Sequence, residues 1–120
     1  MAAESRNATI AGVGMSVPER VLDNEYYSRI VDTSDEWITQ MTGIKERRVT
    51  DDDTATSDLA VAASRQAMER AGVTGKDVEM IVVATATPDT LFPSTACLIQ
   101  HAVGAKRAFA YDIAAACSGF

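Results

Sequence analysis

Residues 108–120 read AFAYDIAAACSGF, and this segment decides the fold class and carries the clearest chemical signal of the chain. Aromatic and β-branched residues alternate with smaller ones over residues 109–113, which is the periodicity of a β-strand. The predicted strand runs into a series of alanines, then Cys117, then a serine and a glycine. Small residues around a thiol allow a sharp backbone turn and the close approach of a substrate.

Cys117 has two interpretations on this pattern. A cysteine after a buried strand is commonly an inert core residue, whereas a thiol in a turn of small residues is a candidate nucleophile. A helix beginning at Cys117 would favour the thiolate through its unpaired N–H groups and its dipole. The 120 residues contain one histidine, so most of the groups that would assist a nucleophilic thiol are absent from them.

Helices and strands alternate over the rest of the sequence. The predicted strands are residues 8–15, 79–86 and 107–113, and the predicted helices are a short one capped by Asn24 and residues 34–43, 56–71 and 94–103. A solvated loop is predicted for the charged residues 45–53. The apolar run of residues 79–86 is typical of a strand buried on both faces of a parallel sheet. Strands that alternate with helices in this way predict βαβ units and an α/β fold.

Composition limits the class of protein. The sequence is 47% hydrophobic and 23% charged with a net charge of −6, which disfavours a nucleic-acid or anionic-membrane partner. The two cysteines form no C-x-x-C motif and no cluster with histidine, so no metal site is expected. This use of cysteine suits a reducing compartment, which predicts a cytoplasmic protein. No stretch approaches 18 continuous apolar residues, so no membrane span is expected.

Four blocks, in this order and spacing, resemble one enzyme family: DTSDEWI (32–38), TGIKERR (42–48), FPSTAC (92–97) and DIAAACSGF (112–120). The chain resembles the N-terminal part of a β-ketoacyl-acyl carrier protein synthase III, a condensing enzyme of the thiolase superfamily. The resemblance implies the N-terminal portion of a thiolase-like, layered αβαβα fold. Residues 1–120 would then be a half-domain that is truncated just after the nucleophile turn.

The resemblance also implies a reaction. Cys117 would accept an acyl group from acyl-CoA, and the enzyme would condense this group with malonyl-acyl carrier protein, losing CO₂ and initiating fatty acid or polyketide chains. The assisting His and Asn of the family lie in its C-terminal half. Acyl-CoA would be a substrate, with no permanently bound cofactor. The expected partners are acyl carrier protein and a second copy in a homodimer, with neither nucleic acid nor membrane.

Further roles follow from matching positions. Trp37, with Thr33 nearby, would stack on the CoA adenine, although a helix anchor with a buried ring is the simpler interpretation of a lone Trp. Met41 stands where the family usually has an Arg that holds the nucleotide end of CoA, and Lys45 is a weaker candidate phosphate contact. Phe92 would cross the dimer interface and line the partner's acyl pocket; the alternative is a loop Phe packed into its own core.

Three other residues near these motifs are predicted to be structural. Cys97 lies within a predicted helix and is expected to pack as a small hydrophobic residue. Asp112 is expected to fix the end of its strand, and His101 to be a surface or interface residue.

Two other functions stay open. One is a thiolase-like acyltransferase of secondary metabolism, which Met41 favours because the methionine offers no charge for phosphate. The other is a non-catalytic subunit of such a complex, which the intact Cys117 disfavours.

Overall fold

A computed structural model describes residues 7–120, which divide into two units. The smaller unit is residues 17–55, and the larger combines residues 7–16 with residues 56–120. Within the described range, no helix is both long and apolar enough to cross a membrane.

The smaller unit is built on a short antiparallel ribbon. Strand β1 (Val21–Asp23) pairs with strand β2 (Glu46–Arg48), and helices α1 (Asn24–Ser28) and α2 (Asp35–Thr42) lie between them in sequence. The prediction of a solvated loop is therefore wrong for residues 46–48. These residues form a strand because β1, more than twenty residues earlier, supplies their backbone partners, and a local charge pattern cannot reveal such a distant pairing.

The ends of the short helices follow from their capping residues. Ser34 accepts a hydrogen bond from the Trp37 N–H (3.1 Å), and Gly43 ends α2 at a φ of 72°, so both predicted ends of this helix are confirmed. The cap of α1 is Asp23, which accepts from the Tyr26 N–H at 2.8 Å, so the prediction of Asn24 is wrong. Pairing in β1 keeps residue 23 extended, and the helix therefore begins at the next residue.

The larger unit contains the predicted βαβ arrangement. Helix α3 (Thr56–Ala71) precedes strand β3 (Met80–Ala84), helix α4 (Thr95–Ala102) and strand β4 (Phe109–Ile113). The two strands are parallel, with Met80 opposite Phe109 and Ala84 opposite Ile113. Helix α4 packs on both strands and on α3. The strand–helix–strand order read from the sequence is thus confirmed in this unit.

The predicted first strand is not formed within the described residues. Residues 7–16 form no helix or strand and alternate in burial from Gly12 to Ser16; they join no ladder, because no described strand runs beside them. They lie instead along α3. A Cβ atom at Gly12 or Gly14 would collide with the backbone carbonyl oxygens of Ala67 or Ala63, so only glycine permits this close approach.

Only one face of the parallel strand pair is covered. Ile99 of α4 is 2% exposed beneath the strands, whereas Met80 and Phe109 on the opposite face are 51% and 61% exposed. Val82 and Tyr111 lie on that face as well, and both are exposed. The cover on both faces that the apolar run of β3 predicts is therefore supplied on one face only by the described residues, which form one helical layer against this sheet.

Candidate active site

Cys117 lies just beyond the carboxyl end of β4, in a short 3₁₀ turn formed by Ala116–Gly119, and the residue is exposed. Strands β3 and β4 are parallel, so their carboxyl ends meet at this edge of the sheet. In open α/β sheets this edge is where ligands commonly bind. The thiol is therefore accessible at the edge where this fold class places its chemistry, and the inert-core interpretation does not fit its exposure.

The turn around Cys117 is tightly built. Ala116 has a φ of 46°, a left-handed conformation that is unfavourable for a residue with a Cβ. A Cβ at Gly119 would lie 3.2 Å from the Ala84 Cβ, so the turn rests directly on the end of β3. The helix considered for Cys117 is, over these residues, only this four-residue 3₁₀ turn. A dipole argument that needs a long helix therefore does not apply to it.

Asp112 connects β4 to the start of α4. One carboxylate oxygen accepts the Thr95 N–H and the other accepts the Ala96 N–H, both at 2.8 Å. The two donors are among the N–H groups that a helix N-terminus leaves unpaired. Asp112 thus has the structural role expected of it, since it fixes α4 to the strand that leads to Cys117.

Asp89 extends this network and was missed by the sequence analysis. Its carboxylate accepts the Ser57 N–H at 3.0 Å, near the start of α3, and its own N–H donates to the Thr95 hydroxyl at 3.1 Å. The one available signal was an aspartate just after Pro88, in a loop between two predicted elements. Nothing local indicated that its partners would be the starts of two helices.

Cys97 contrasts with Cys117. It is half-buried in α4, its sulfur accepts a hydrogen bond from the Ser94 hydroxyl at 3.2 Å, and it lies 4.0 Å from the Ala110 carbonyl oxygen. This packing agrees with the structural role predicted for Cys97.

The loop between β3 and α4 presents two large apolar side chains to solvent. Leu91 is 99% exposed and Phe92 is 91% exposed, and with Pro88 and Thr90 they border a cavity that Tyr111 also lines. Phe92 is therefore not packed into the core of its own unit, which removes the alternative considered for it. His101 is also exposed, as predicted.

A second candidate site lies in the smaller unit. Asp32, Thr33, Ser34 and Trp37 line a cavity, and the Trp37 side chain is 57% exposed, so this residue is not an anchor with a buried ring. The Thr33 hydroxyl oxygen is buried and has no hydrogen-bond partner among the described residues. An exposed indole face suits stacking on a flat ring, and the buried Thr33 hydroxyl leaves hydrogen-bonding capacity unused in the same cavity lining.

Met41 and Lys45 complete the residues predicted for nucleotide binding. Met41 follows Trp37 by one helical turn on α2, and its side chain is 58% exposed. Lys45 is exposed just after this helix. All four predicted residues thus belong to the smaller unit, while Cys117 and Phe92 belong to the larger one.

Comparison with known proteins finds similar proteins of one kind. No protein-family profile matches the chain. β-Ketoacyl-[acyl-carrier-protein] synthase III 1 of Bacillus anthracis is 54% identical over 114 residues, which cover 95% of this chain and 37% of the relative. The synthase III of Xanthomonas campestris pv. campestris is 58% identical over 111 residues, which cover 92% of this chain and 34% of the relative.

The chain is related to β-ketoacyl-acyl carrier protein synthase III. It spans about a third of the length of these curated relatives. A synthase III structure from Aquifex aeolicus superimposes with a TM-score of 0.88 at 46% identity, covering 95% of this chain and 37% of that one. The priming β-ketosynthase of the R1128 polyketide pathway superimposes with a TM-score of 0.86 at 38% identity, covering 92% of this chain and 33% of that one. The predicted thiolase-like α/β fold is confirmed.

Proposed function

We propose that the complete protein is a β-ketoacyl-acyl carrier protein synthase III with Cys117 as its nucleophile. The observation that carries the proposal is the 54–58% identity to synthases of this name over nearly the whole chain. The exposed thiol in its strained turn supports the role of Cys117.

The proposed reaction has two stages. The Cys117 thiolate attacks the thioester carbonyl of acyl-CoA, the carbonyl–sulfur bond breaks, and CoA leaves as a thiol after protonation. The malonyl group then loses CO₂, and the released electron pair forms a carbon–carbon bond to the acyl carbon and expels the Cys117 thiolate. The His and Asn that the family resemblance implies for the second stage would lie outside these 120 residues.

Recognition of acyl-CoA is proposed to use the smaller unit. Trp37 would stack on the adenine and Thr33 would hydrogen-bond to it, which is supported by the exposed indole and the unpaired hydroxyl. Lys45 would contact phosphate. Met41 would contribute apolar contact without charge, so the nucleotide end would be held less tightly than by an arginine at this position.

The proposed partners are acyl-CoA, acyl carrier protein and a second copy of the protein, with no nucleic acid or membrane and with no permanently bound cofactor. Phe92 would line the acyl pocket of the second copy, which is supported by its 91% exposure. We propose a cytoplasmic location, where both substrates and a reduced Cys117 would be available.

A product assay with the complete protein tests this function. Acyl-CoA and malonyl-acyl carrier protein together should yield CO₂ and β-ketoacyl-carrier protein, detected by intact mass, and Cys117→Ala should abolish both. Acyl transfer without release of CO₂ would instead favour an acyltransferase of secondary metabolism. An acyl-enzyme that never forms would indicate a non-catalytic subunit.

Polyketide initiation is a second candidate with the same chemistry. It is favoured by the 38% identity to the R1128 priming β-ketosynthase. Competition between carrier proteins of fatty acid and polyketide type, at equal concentration, would distinguish the two pathways.

A further inference from the structure

We infer that Asn24 is a positioning residue for the acyl donor, because its buried amide fixes the helix that carries Trp37 and Met41. The inference rests on the proposed role of these two residues in CoA recognition. It assigns to Asn24 no contact with the substrate.

Asn24 is the most deeply buried polar side chain of the smaller unit, at 1% exposure. Its amide nitrogen donates to the Asp35 carboxylate and to the Ile44 carbonyl oxygen, both at 2.8 Å, with Thr39 Oγ1 at 3.4 Å. Its amide oxygen accepts from the Arg47 guanidinium. Both amide hydrogens and the amide oxygen are therefore used within the protein.

In sequence, two partners of Asn24 flank the candidate CoA residues Trp37 and Met41. Asp35 is the first residue of α2 and Ile44 follows the helix, so one amide group holds both ends of the segment. Arg47 belongs to β2 and also lies over the Tyr27 ring, 4.6 Å from its centroid. Asn24 thus joins α1, α2 and β2 through a single side chain.

This arrangement leaves the opposite side of α2 open. Ile38 of the helix is 7% exposed, whereas Trp37 and Met41 are 57% and 58% exposed. Since the side of α2 that carries Trp37 and Met41 is more than half exposed, contacts there fix the helix less than the buried amide of Asn24, which therefore sets the position of the indole. A helix that shifts by about 1 Å would misplace a stacking ring, and such shifts are costly to function.

Asn24→Asp tests the inference because it keeps the shape of the side chain and removes its donors. An aspartate still accepts from Arg47, but it cannot donate to Ile44, and its charge repels Asp35. In the complete protein, we expect KM for acyl-CoA to rise about tenfold with kcat nearly unchanged, the signature of lost uniform binding. KM for an acyl-pantetheine, which lacks the nucleotide, should stay the same.

A double variant provides the rescue. Adding Asp35→Asn to Asn24→Asp exchanges donor and acceptor, so one hydrogen bond to α2 is restored. We expect this double variant to recover most of the affinity for acyl-CoA. If Asn24→Asp does not fold, Asp35→Ala removes the same hydrogen bond by truncating the exposed acceptor Asp35. This variant should give the same selective rise in KM for acyl-CoA. Asn7→Asp makes the same change at an exposed position and is the matched control. It should leave KM unchanged for both acyl-CoA and acyl-pantetheine.

Calorimetric titration with CoA alone separates this inference from the proposed function. Wild-type protein that binds CoA but forms no product would contradict the proposed function, while weaker CoA binding by Asn24→Asp would still support the inference. The inference is overturned if Asn24→Asp raises KM for acyl-CoA and for acyl-pantetheine equally, or if it changes neither KM. It is also overturned if the double variant does not recover affinity for acyl-CoA. Wild-type protein that does not bind CoA would overturn both.

Discussion

The two cysteines of the chain differ in what surrounds their sulfur atoms. Cys97 accepts a hydrogen bond from Ser94 and is half-buried, whereas Cys117 is exposed in a strained turn. Since a thiol must meet its substrate to react, we predict that acyl-CoA acylates Cys117 and leaves Cys97 unmodified. Peptide mass spectrometry of the complete protein after incubation with acyl-CoA measures this.

Matched variants sharpen this comparison. Cys97→Ala should retain the acyl adduct, and Cys117→Ala should lose it together with turnover. An acyl group found on Cys97, or normal turnover of Cys117→Ala, would contradict the proposed condensing mechanism.

Met41 gives a second prediction at the residue scale. Its exposed side chain lies one helical turn from Trp37 and offers no charge to phosphate. We predict that Met41→Arg lowers KM for acyl-CoA but not for acyl-pantetheine, because a charge-assisted phosphate contact contributes about 1–3 kcal/mol.

The control for Met41→Arg is Gln40→Arg. Gln40 is exposed and adjacent in sequence, but successive residues of a helix point in different directions. The control adds the same charge and should have little effect. Equal gains from both variants would mean that the added charge acts by general attraction and not at a specific site.

At the scale of elements, the start of α4 depends on one carboxylate. Asp112 accepts two backbone N–H groups of this helix, so its loss leaves both donors without their partner. We predict that Asp112→Ala lowers the free energy of unfolding of the complete protein by about 1–3 kcal/mol, and Asp112→Asn by less, since an amide keeps one acceptor oxygen. Urea denaturation measures both, with Asp52→Asn in an exposed loop as the control. Identical midpoints for Asp112→Ala and wild type would refute this role.

At the scale of the whole molecule, the described residues bury little apolar surface. Their buried apolar residues are Ile38, Ala96, Ile99, Ala105 and Ala108, three of which are alanines. The uncovered face of β3 and β4 exposes Met80, Val82, Phe109 and Tyr111. Parallel sheets are normally covered on both faces.

We predict that the 120 residues alone do not form a stable monomer. Burial of this apolar face needs structure that the described residues do not supply, and an isolated small core rarely gives several kcal/mol of stability. Thermal denaturation followed by circular dichroism, combined with light scattering, should show no cooperative and reversible transition of a monomer. The complete protein is the matched control and should give a cooperative transition. A reversible two-state melt of the monomeric 120 residues would contradict the prediction.

The sequence predicted correctly those helices and strands that depend on side-chain periodicity and on capping residues. Helix α3 has the predicted bounds, α2 begins and ends at its predicted caps, and β3 and β4 fall within their predicted apolar runs. These features depend on side-chain period and on capping residues, which act over a few residues. The same is true of the family blocks, which identified the candidate residues Cys117 and Trp37.

Only the tertiary structure decided features that join distant residues. Strand β2 exists because β1 pairs with it, and residues 7–16 remain unpaired because no described strand lies beside them. The hydrogen bonds of Asn24 and Asp112 cross 11 to 23 residues of sequence. The sequence by itself determined helices α2, α3 and α4, the segments that form β3 and β4, and the candidate nucleophile, since the signal for each lies within a short stretch of residues. Which polar side chains fix these elements depends on packing, and packing is set by the whole fold.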